Sequence, residues 1–298
     1  MIRLLIQAYA VTLAASVVLA APLELNLRRM VEGEPGTDQW KTVEVRAEWN
    51  PAQTCVVICD MWDRHWCKGA TARVREMAPH MNQLVTNLRD RGVLIIHCPS
   101  DTMKFYEGTT GRKLAQSAPK AEVKFSAAGW LARDSRKEPP LPIDDSDGGC
   151  DDSPQCRTGS PWRRQIESLE IKEGDAITDN VEAFNLMRQR GITNVIVMGV
   201  HQNMCVLGRP FAIRQMVRQG QNVVLVRDLT DSMYNSRQKP YVDHFTGNDL
   251  VTWHIEKYWC PTVTSDQIVG GNPFRFSGDT KPPRVFENTS KVSGTVGK

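Results

Sequence analysis

The chain has no Cys-x-x-Cys pair, almost no net charge and no dense basic run. The first absence removes the usual signature of a thiol-redox protein, even though eight cysteines are present. Lysine and arginine total 37 against 34 acidic residues, a formal net charge of +3. The basic residues gather only in short pairs such as Arg28-Arg29 and Arg163-Arg164. Binding a phosphate backbone takes a concentrated positive face, so nucleic acid is not an expected partner. Between residues 103 and 164 a sustained hydrophobic period is also lacking, and Pro139-Pro140, Pro142 and an acidic run from Asp144 to Asp147 break the segment. It reads as an insertion too long for an ordinary connection.

Residues 1–20 have the layout of a signal peptide: Arg3 near the start, an apolar stretch from Leu4 to Leu19, and Val18-Leu19-Ala20 before a cleavage point. Gln7, Tyr9, Thr12 and Ser16 dilute the stretch, which favours cleavage near Ala20 over an uncleaved anchor. The chain is expected to be periplasmic or secreted, touching a membrane only if the segment stays attached. In that oxidising space Cys150 and Cys156, on either side of a turn-rich Asp151–Gln155 segment, are expected to close a short disulfide loop. Cys55 and Cys59 share one face of an apolar strand and read as packing residues. Cys67, Cys98 and Cys260 stay unassigned.

Length suits one large α/β domain over 51–260, preceded by an extended arm at 21–50 and followed by a tail at 261–298. Apolar runs at 55–60, 93–98, 175–178, 194–200 and 222–228 predict strands. Amphipathic spacing predicts helices over 71–91, 180–190, 204–219 and 243–258, three of them stopped by Gly92, Gly191 and Gly220. Fully apolar strands alternating with helices imply a parallel sheet covered on both faces, with ligands bound beyond the carboxyl ends of the strands. Asp60, His97, Cys205 and Asp228 stand at or just past such ends. Cys205 occupies a strand-to-helix elbow, where helix-start amides favour thiolate over thiol.

Three pieces of this sequence resemble the isochorismatase-like cysteine hydrolases, which include nicotinamidases and N-carbamoylsarcosine amidase. They are an apolar strand ending in Asp60-Met61, the run Glu182-Ala183-Phe184 followed by Gly191-Ile192-Thr193-Asn194-Val195, and Gly199-Val200 with Cys205 six residues after the glycine. The resemblance implies a three-layer αβα fold around a mostly parallel, Rossmann-like sheet of six strands. It implies Cys205 as nucleophile, Asp60 as the carboxylate that moves the thiol proton to a leaving amine, and a cis Val200–His201 peptide. Val200, His201 and Met204 are then expected to supply the oxyanion surroundings.

The family's lysine is the departure, because the matching position is Thr178 and a threonine carries no positive charge. Lys124, His97 and His201 are the candidate replacements. The family's Asp-x-His metal pattern is not matched, since no histidine occurs from 98 to 200; no metal and no cofactor are expected, and His65 and Cys67 read as part of an aromatic cluster. Trp62 and Trp66 are candidate pocket walls, and Arg209 a candidate substrate contact. Arg214 and Arg218 read as a solvated helix face, Pro210 as a first-turn proline, and Asp231, Ser232 and His244 as capping residues. Two function classes follow: a hydrolase of a small amide-like C–N substrate, or a member that binds a ligand without turning it over. A homo-oligomer is compatible with either.

Overall fold

Alternation of Leu23, Leu25 and Leu27 with polar residues builds β1 (Leu23–Glu32), which turns back as the antiparallel β2 (Trp40–Trp49). The computed structural model describes residues 20–34, 36–123 and 125–285, so residues 1–19 of the expected signal peptide and the candidate Lys124 lie outside the described residues. The 21–50 segment is therefore not an arm lying across the domain. It is a hairpin that joins the sheet, because β1 has an apolar face to bury. Its outer strand β2 is mostly exposed and carries Lys41, Glu44, Arg46 and Glu48, charges that discourage further edge pairing.

The next six strands are β3 (Thr54–Cys59), β4 (Leu94–Cys98), β5 (Ala176–Ile177), β6 (Asn194–Val200), β7 (Asn222–Asp231) and β8 (Thr262–Val263). The sheet order is β2-β1-β8-β7-β6-β3-β4-β5. From β8 to β5 every pairing is parallel, so the six-stranded sheet expected is present as a parallel core, and the hairpin raises the total to eight. β8 and the short helix α8 below also draw the first part of the 261–298 tail into the domain, with β8 bridging β7 and β1.

Helices cover both faces. α1 (Lys68–Asp90) lays Val74, Met77, Met81, Leu84, Val85 and Leu88 on Val56, Ile58, Ile95 and Ile196. Pro79 lies within it on the exposed side, where the carbonyl it leaves unpaired faces water. After the short α2 (Met103–Tyr106), the other face is covered by α3 (Thr110–Ser117), α4 (Glu182–Gln189), α5 (Cys205–Gly208), α6 (Ile213–Arg218) and α7 (His244–Tyr258), whose apolar residues meet Cys55, Val57, Ile96, Val195 and Val197. α8 (Asp266–Val269) adds Ile268 to the α1 side. The helix expected over 204–219 is two helices. Pro210 forces the residue before it into extended backbone, and Arg209 has φ −66°, ψ 156°.

The insertion has little regular structure after α3, and buried polar anchors hold it instead. Glu138 is 2% exposed and takes Arg214 at 2.7 Å, His254 Nε2 at 2.8 Å and Trp259 Nε1 at 2.7 Å. Arg214 is thus a buried clamp and not a solvated residue. Asp231 and His244 are likewise not caps: Asp231 accepts from Arg73 Nε at 2.7 Å and from Asn248 at 2.9 Å and pairs with His244 Nε2 at 2.8 Å, while Asp243 caps α7. Arg73 also binds Asp151 of the insertion. The disulfide expected there is not formed; Cys150 and Cys156 are both free thiols, as are the other six cysteines.

Burial alone would raise the pKa of Glu138, but its hydrogen bonds from His254, Arg214 and Trp259 outweigh that and hold it below the usual glutamate range. A carboxylate depressed on folding contributes stability that is present above its unfolded pKa and lost as pH falls through the lower folded value. Glu138→Gln is therefore expected to cost about 3 kcal/mol near neutral pH, the usual cost of orphaning a buried ion-pair partner. Urea denaturation should show the gap between the two proteins closing as pH falls below about 4.

Candidate active site

Parallel pairing sets β3 between β4 and β6, in register from Cys55 with Leu94 and Val195 to Cys59 with Cys98 and Gly199. From β3 the chain runs to β4 on one side and from β6 it runs to β7 on the other, so a crevice opens at the carboxyl ends of β3 and β6. Gly199 lets the strands close there: its φ is +108°, and a Cβ would fall 2.1 Å from the Cys59 carbonyl oxygen. Asp60, Ser100 and Cys205 follow the ends of β3, β4 and β6.

Asp60 is fully buried and holds a left-handed backbone with φ +47°, a conformation that aspartate tolerates better than most residues and that is concentrated at functional sites. Its Oδ1 accepts the Ser100 amide at 2.8 Å. Its Oδ2 lies 3.5 Å from Arg209 Nε, and neither of those two atoms has an aligned hydrogen-bond partner among the described residues. The Cys205 thiol is electrostatically coupled to both groups, to the carboxylate and to the guanidinium. A second carboxylate, Asp101, holds the far end of Arg209 at 3.1 Å.

The cation coupled to the sulfur is thus an arginine from the elbow that carries Cys205 itself. Arg209 was expected to contact substrate; its guanidinium lies at the thiol. The pre-proline break after α5 is the sequence signal that marks it, since it takes Arg209 out of the helix. At the position matching the family's lysine, the Thr178 hydroxyl is committed to Glu182 at 2.8 Å, and Glu182 is paired with Arg112.

Burial raises the Cys205 pKa well above that of a free thiol, and the negative charge of Asp60 pushes the same way, while Arg209 opposes both. Asp60 is also raised by burial, with Arg209 and hydrogen bonds from Cys205 and Ser100 pulling it down. Burial thus disfavours a negative charge on either the thiol or the carboxylate, and one cation, Arg209, counters it at both. Such a pair moves a proton over a short path while the guanidinium keeps the site neutral.

Neither histidine joins this arrangement. His97 is the register partner of Ile58, on the α1 side of the sheet, where its ring meets Gln165 at 2.9 Å and Asp175 at 3.1 Å. His201 is 2% exposed and packs edge-on against His65 at 5.0 Å. Burial, and then repulsion from His65, push its pKa well below that of free imidazole, so it is neutral at physiological pH. The Val200–His201 peptide is cis, as the resemblance implied. The Met204 amide is bound to the His201 carbonyl at 3.0 Å, which removes Met204 as an oxyanion donor. The Cys205 amide makes no backbone hydrogen bond among the described residues.

Trp62 stacks on Trp162 at 4.4 Å and donates its indole N–H to the Ser100 carbonyl at 2.9 Å. His65 lies between Trp162 at 5.7 Å and Trp66 at 5.2 Å, completing an aromatic wall after β3. The sequence reading found Trp62 and Trp66 but passed over Trp162, which lies in the irregular insertion. It also passed over Trp130, whose ring lies so close to Gly208 that a Cβ there would come within 2.4 Å. A cavity of about 450 Å³ beneath the insertion ends at Asn203, with Arg133, Leu141 and Asp145 in its lining. Cys205 does not line it.

A family model described as the isochorismatase domain matches residues 54–254. No curated protein matches. Among solved structures, a cysteine hydrolase from Pseudomonas syringae pv. phaseolicola 1448A is 15% identical with a TM-score of 0.46, over 74% of this chain and 92% of that one. An isochorismatase from Pseudomonas putida KT2440 is 13% identical with a TM-score of 0.45, over 73% and 91%. An N-carbamoylsarcosine amidase from Thermoplasma acidophilum is 11% identical with a TM-score of 0.34, over 60% and 83%.

The charge balance at the thiol is directly measurable. Replacing Arg209 with leucine removes the guanidinium charge that favours the thiolate, so iodoacetamide should modify Cys205 about tenfold more slowly at neutral pH, equivalent to one pKa unit. Asp60→Asn should move the rate in the opposite direction.

Proposed function

The chain belongs to the isochorismatase domain family, and from that premise we propose that it is an exported cysteine hydrolase that cleaves a small amide-like C–N substrate through a covalent Cys205 intermediate. The observation that carries this reading is the placing of Cys205, Asp60 and Arg209 beyond the carboxyl ends of β3 and β6, with Asp60 Oδ2 3.5 Å from Arg209 Nε and the thiol electrostatically coupled to both groups. Export rests on the composition of residues 1–20 alone.

In the reaction the Cys205 sulfur attacks the carbonyl carbon as its proton passes to Asp60. The carbonyl oxygen, now negative, takes the Cys205 amide N–H. Collapse of this adduct breaks the C–N bond, and the leaving nitrogen takes the proton from Asp60. A thioester remains. Water then attacks the thioester while Asp60 accepts its proton; the acid departs and the proton returns to sulfur. Arg209 stays charged throughout, offsetting the negative charge that alternates between sulfur and carboxylate. Proton delivery therefore belongs to Asp60 alone, because the guanidinium holds its protons at any working pH.

A second reading is favoured by Thr178. With its hydroxyl spent on Glu182 and Arg209 shared with Asp101, the pocket would bind an amide-like ligand without turning it over.

A panel of small primary amides, N-carbamoyl compounds and ureas, assayed for ammonia release, separates the two. The hydrolase reading expects turnover on at least one member, a thioester adduct by intact mass, and a loss of ~10³-fold or more in Cys205→Ser. No turnover on any compound, together with a Cys205 inert to iodoacetamide, would establish the binding reading.

A further inference from the structure

Away from the Cys205 thiol, three other cysteines converge on a single carboxylate. Cys67 is the N-cap of α1, whereas Cys150, Asp152 and Cys156 come from the insertion, more than eighty residues later. Cys67 Sγ lies 3.3 Å from Asp152 Oδ2, Cys150 Sγ 3.5 Å and Cys156 Sγ 3.1 Å. The Gly69 amide reaches the same oxygen at 3.1 Å. A carboxylate oxygen has two lone pairs and cannot accept four hydrogen bonds, so hydrogen bonding does not account for the convergence.

Tetrahedral coordination does. With metal–sulfur bonds of ~2.3 Å and a metal–oxygen bond of ~2.0 Å, the sulfur-to-oxygen edge of a zinc tetrahedron is about 3.5 Å. The three observed separations fall at or just inside that edge, and the ligand atoms of Cys67, Cys150 and Asp152 all lie within 4.8 Å of one another, a group that the Cys156 sulfur does not yet join. We propose that Cys67, Cys150 and Asp152 bind one zinc ion, and that the half-buried Cys156, 3.1 Å from the same carboxylate oxygen, swings in as the fourth ligand of a structural Cys3Asp site.

The surroundings fit that charge. Cys67 and Cys150 are fully buried, so the site is sealed on its inner side. α1 points its first-turn Gly69 amide at Asp152 Oδ2, at 3.1 Å. Amide donors at a helix start favour thiolate over thiol, and donors to ligand atoms fix the orientation of those atoms. Each cysteine that binds gives up its thiol proton to solvent, so affinity rises with pH. Arg237 holds the carbonyls of Asp151 and Asp152, at 3.4 and 2.9 Å, and keeps the ligand loop in place.

A four-ligand site leaves no open position for chemistry, and its role is to fasten the insertion to α1. Trp66, Met204 and Met233 pack around the cysteines. The fastening therefore lies directly behind one wall residue and behind the neighbour of Cys205. This assignment does not depend on the hydrolase reading, because it is tested by metal content and stability.

The full chain, produced with zinc in the medium and purified without chelator, should carry one zinc per molecule by plasma emission. Cys67→Ser and Cys150→Ser should each lower that content about tenfold, while Cys205→Ser retains it. Chelation should lower the Tm of the wild-type protein, and zinc but not magnesium should restore it. Should the serine variants fail to fold, cobalt(II) titration of the chelated wild type decides, with thiolate-to-cobalt charge-transfer absorption expected at one equivalent. Metal-free protein whose thiols all titrate and whose chelated form takes up no cobalt would overturn the proposal. So would an intact mass lighter by one pair of hydrogens, the mark of a disulfide.

Discussion

The side-by-side parallel pairing of β3 with β4 and β6 is the constraint on which the rest depends. It brings three chain exits to one edge of the sheet, although Asp60 and Cys205 lie far apart in sequence. Everything at the site is then a matter of short reach: a left-handed residue after one strand, an amide after the second, an elbow after the third. Gly199 shows how tight the pairing is, since no side chain fits between the strands at that point. An apolar, doubly covered sheet also sets the dielectric in which the thiol, carboxylate and guanidinium act on one another, and in such surroundings charge interactions are much stronger than in water.

Charge balance explains how the departure at Thr178 is accommodated. A buried thiol next to a buried carboxylate cannot hold two negative charges, and a cation must compensate for the one that remains. In this chain the compensation comes from the elbow that carries the sulfur. Arginine remains protonated in every state of the site, so it supports charge without taking part in proton transfer. That leaves a guanidinium held at both ends by carboxylates, Asp60 and Asp101.

Much of this was legible from the chain. Asp60 directly follows one apolar run and Cys205 lies five residues past the end of another, and such runs form central parallel strands. The cis Val200–His201 peptide followed from resemblance alone. Other features were legible but misread. The alternation at Leu23, Leu25 and Leu27 is strand periodicity, obscured by the turn residues that follow it. Arg209 precedes a proline, which signals an exit from the helix. Glu138, Trp130 and the thiols around Asp152 were beyond such reading. They lie in a stretch with no period, and their partners are set by how the chain folds back on the domain and not by spacing. His97 shows the converse limit: a strand end was predicted correctly, but the face on which the ring would lie was not.

The anchoring of the insertion through a few buried polar contacts has an evolutionary corollary. Glu138 engages three donors at once, Asp145 grips Asn203, and Asp151 answers Arg73. The exposed residues between these fixed points, such as Arg136 and Lys137, touch little of the core, so drift can rewrite them while the sheet and its strand ends stay untouched. Such a covering can be retailored for a new ligand one stretch at a time.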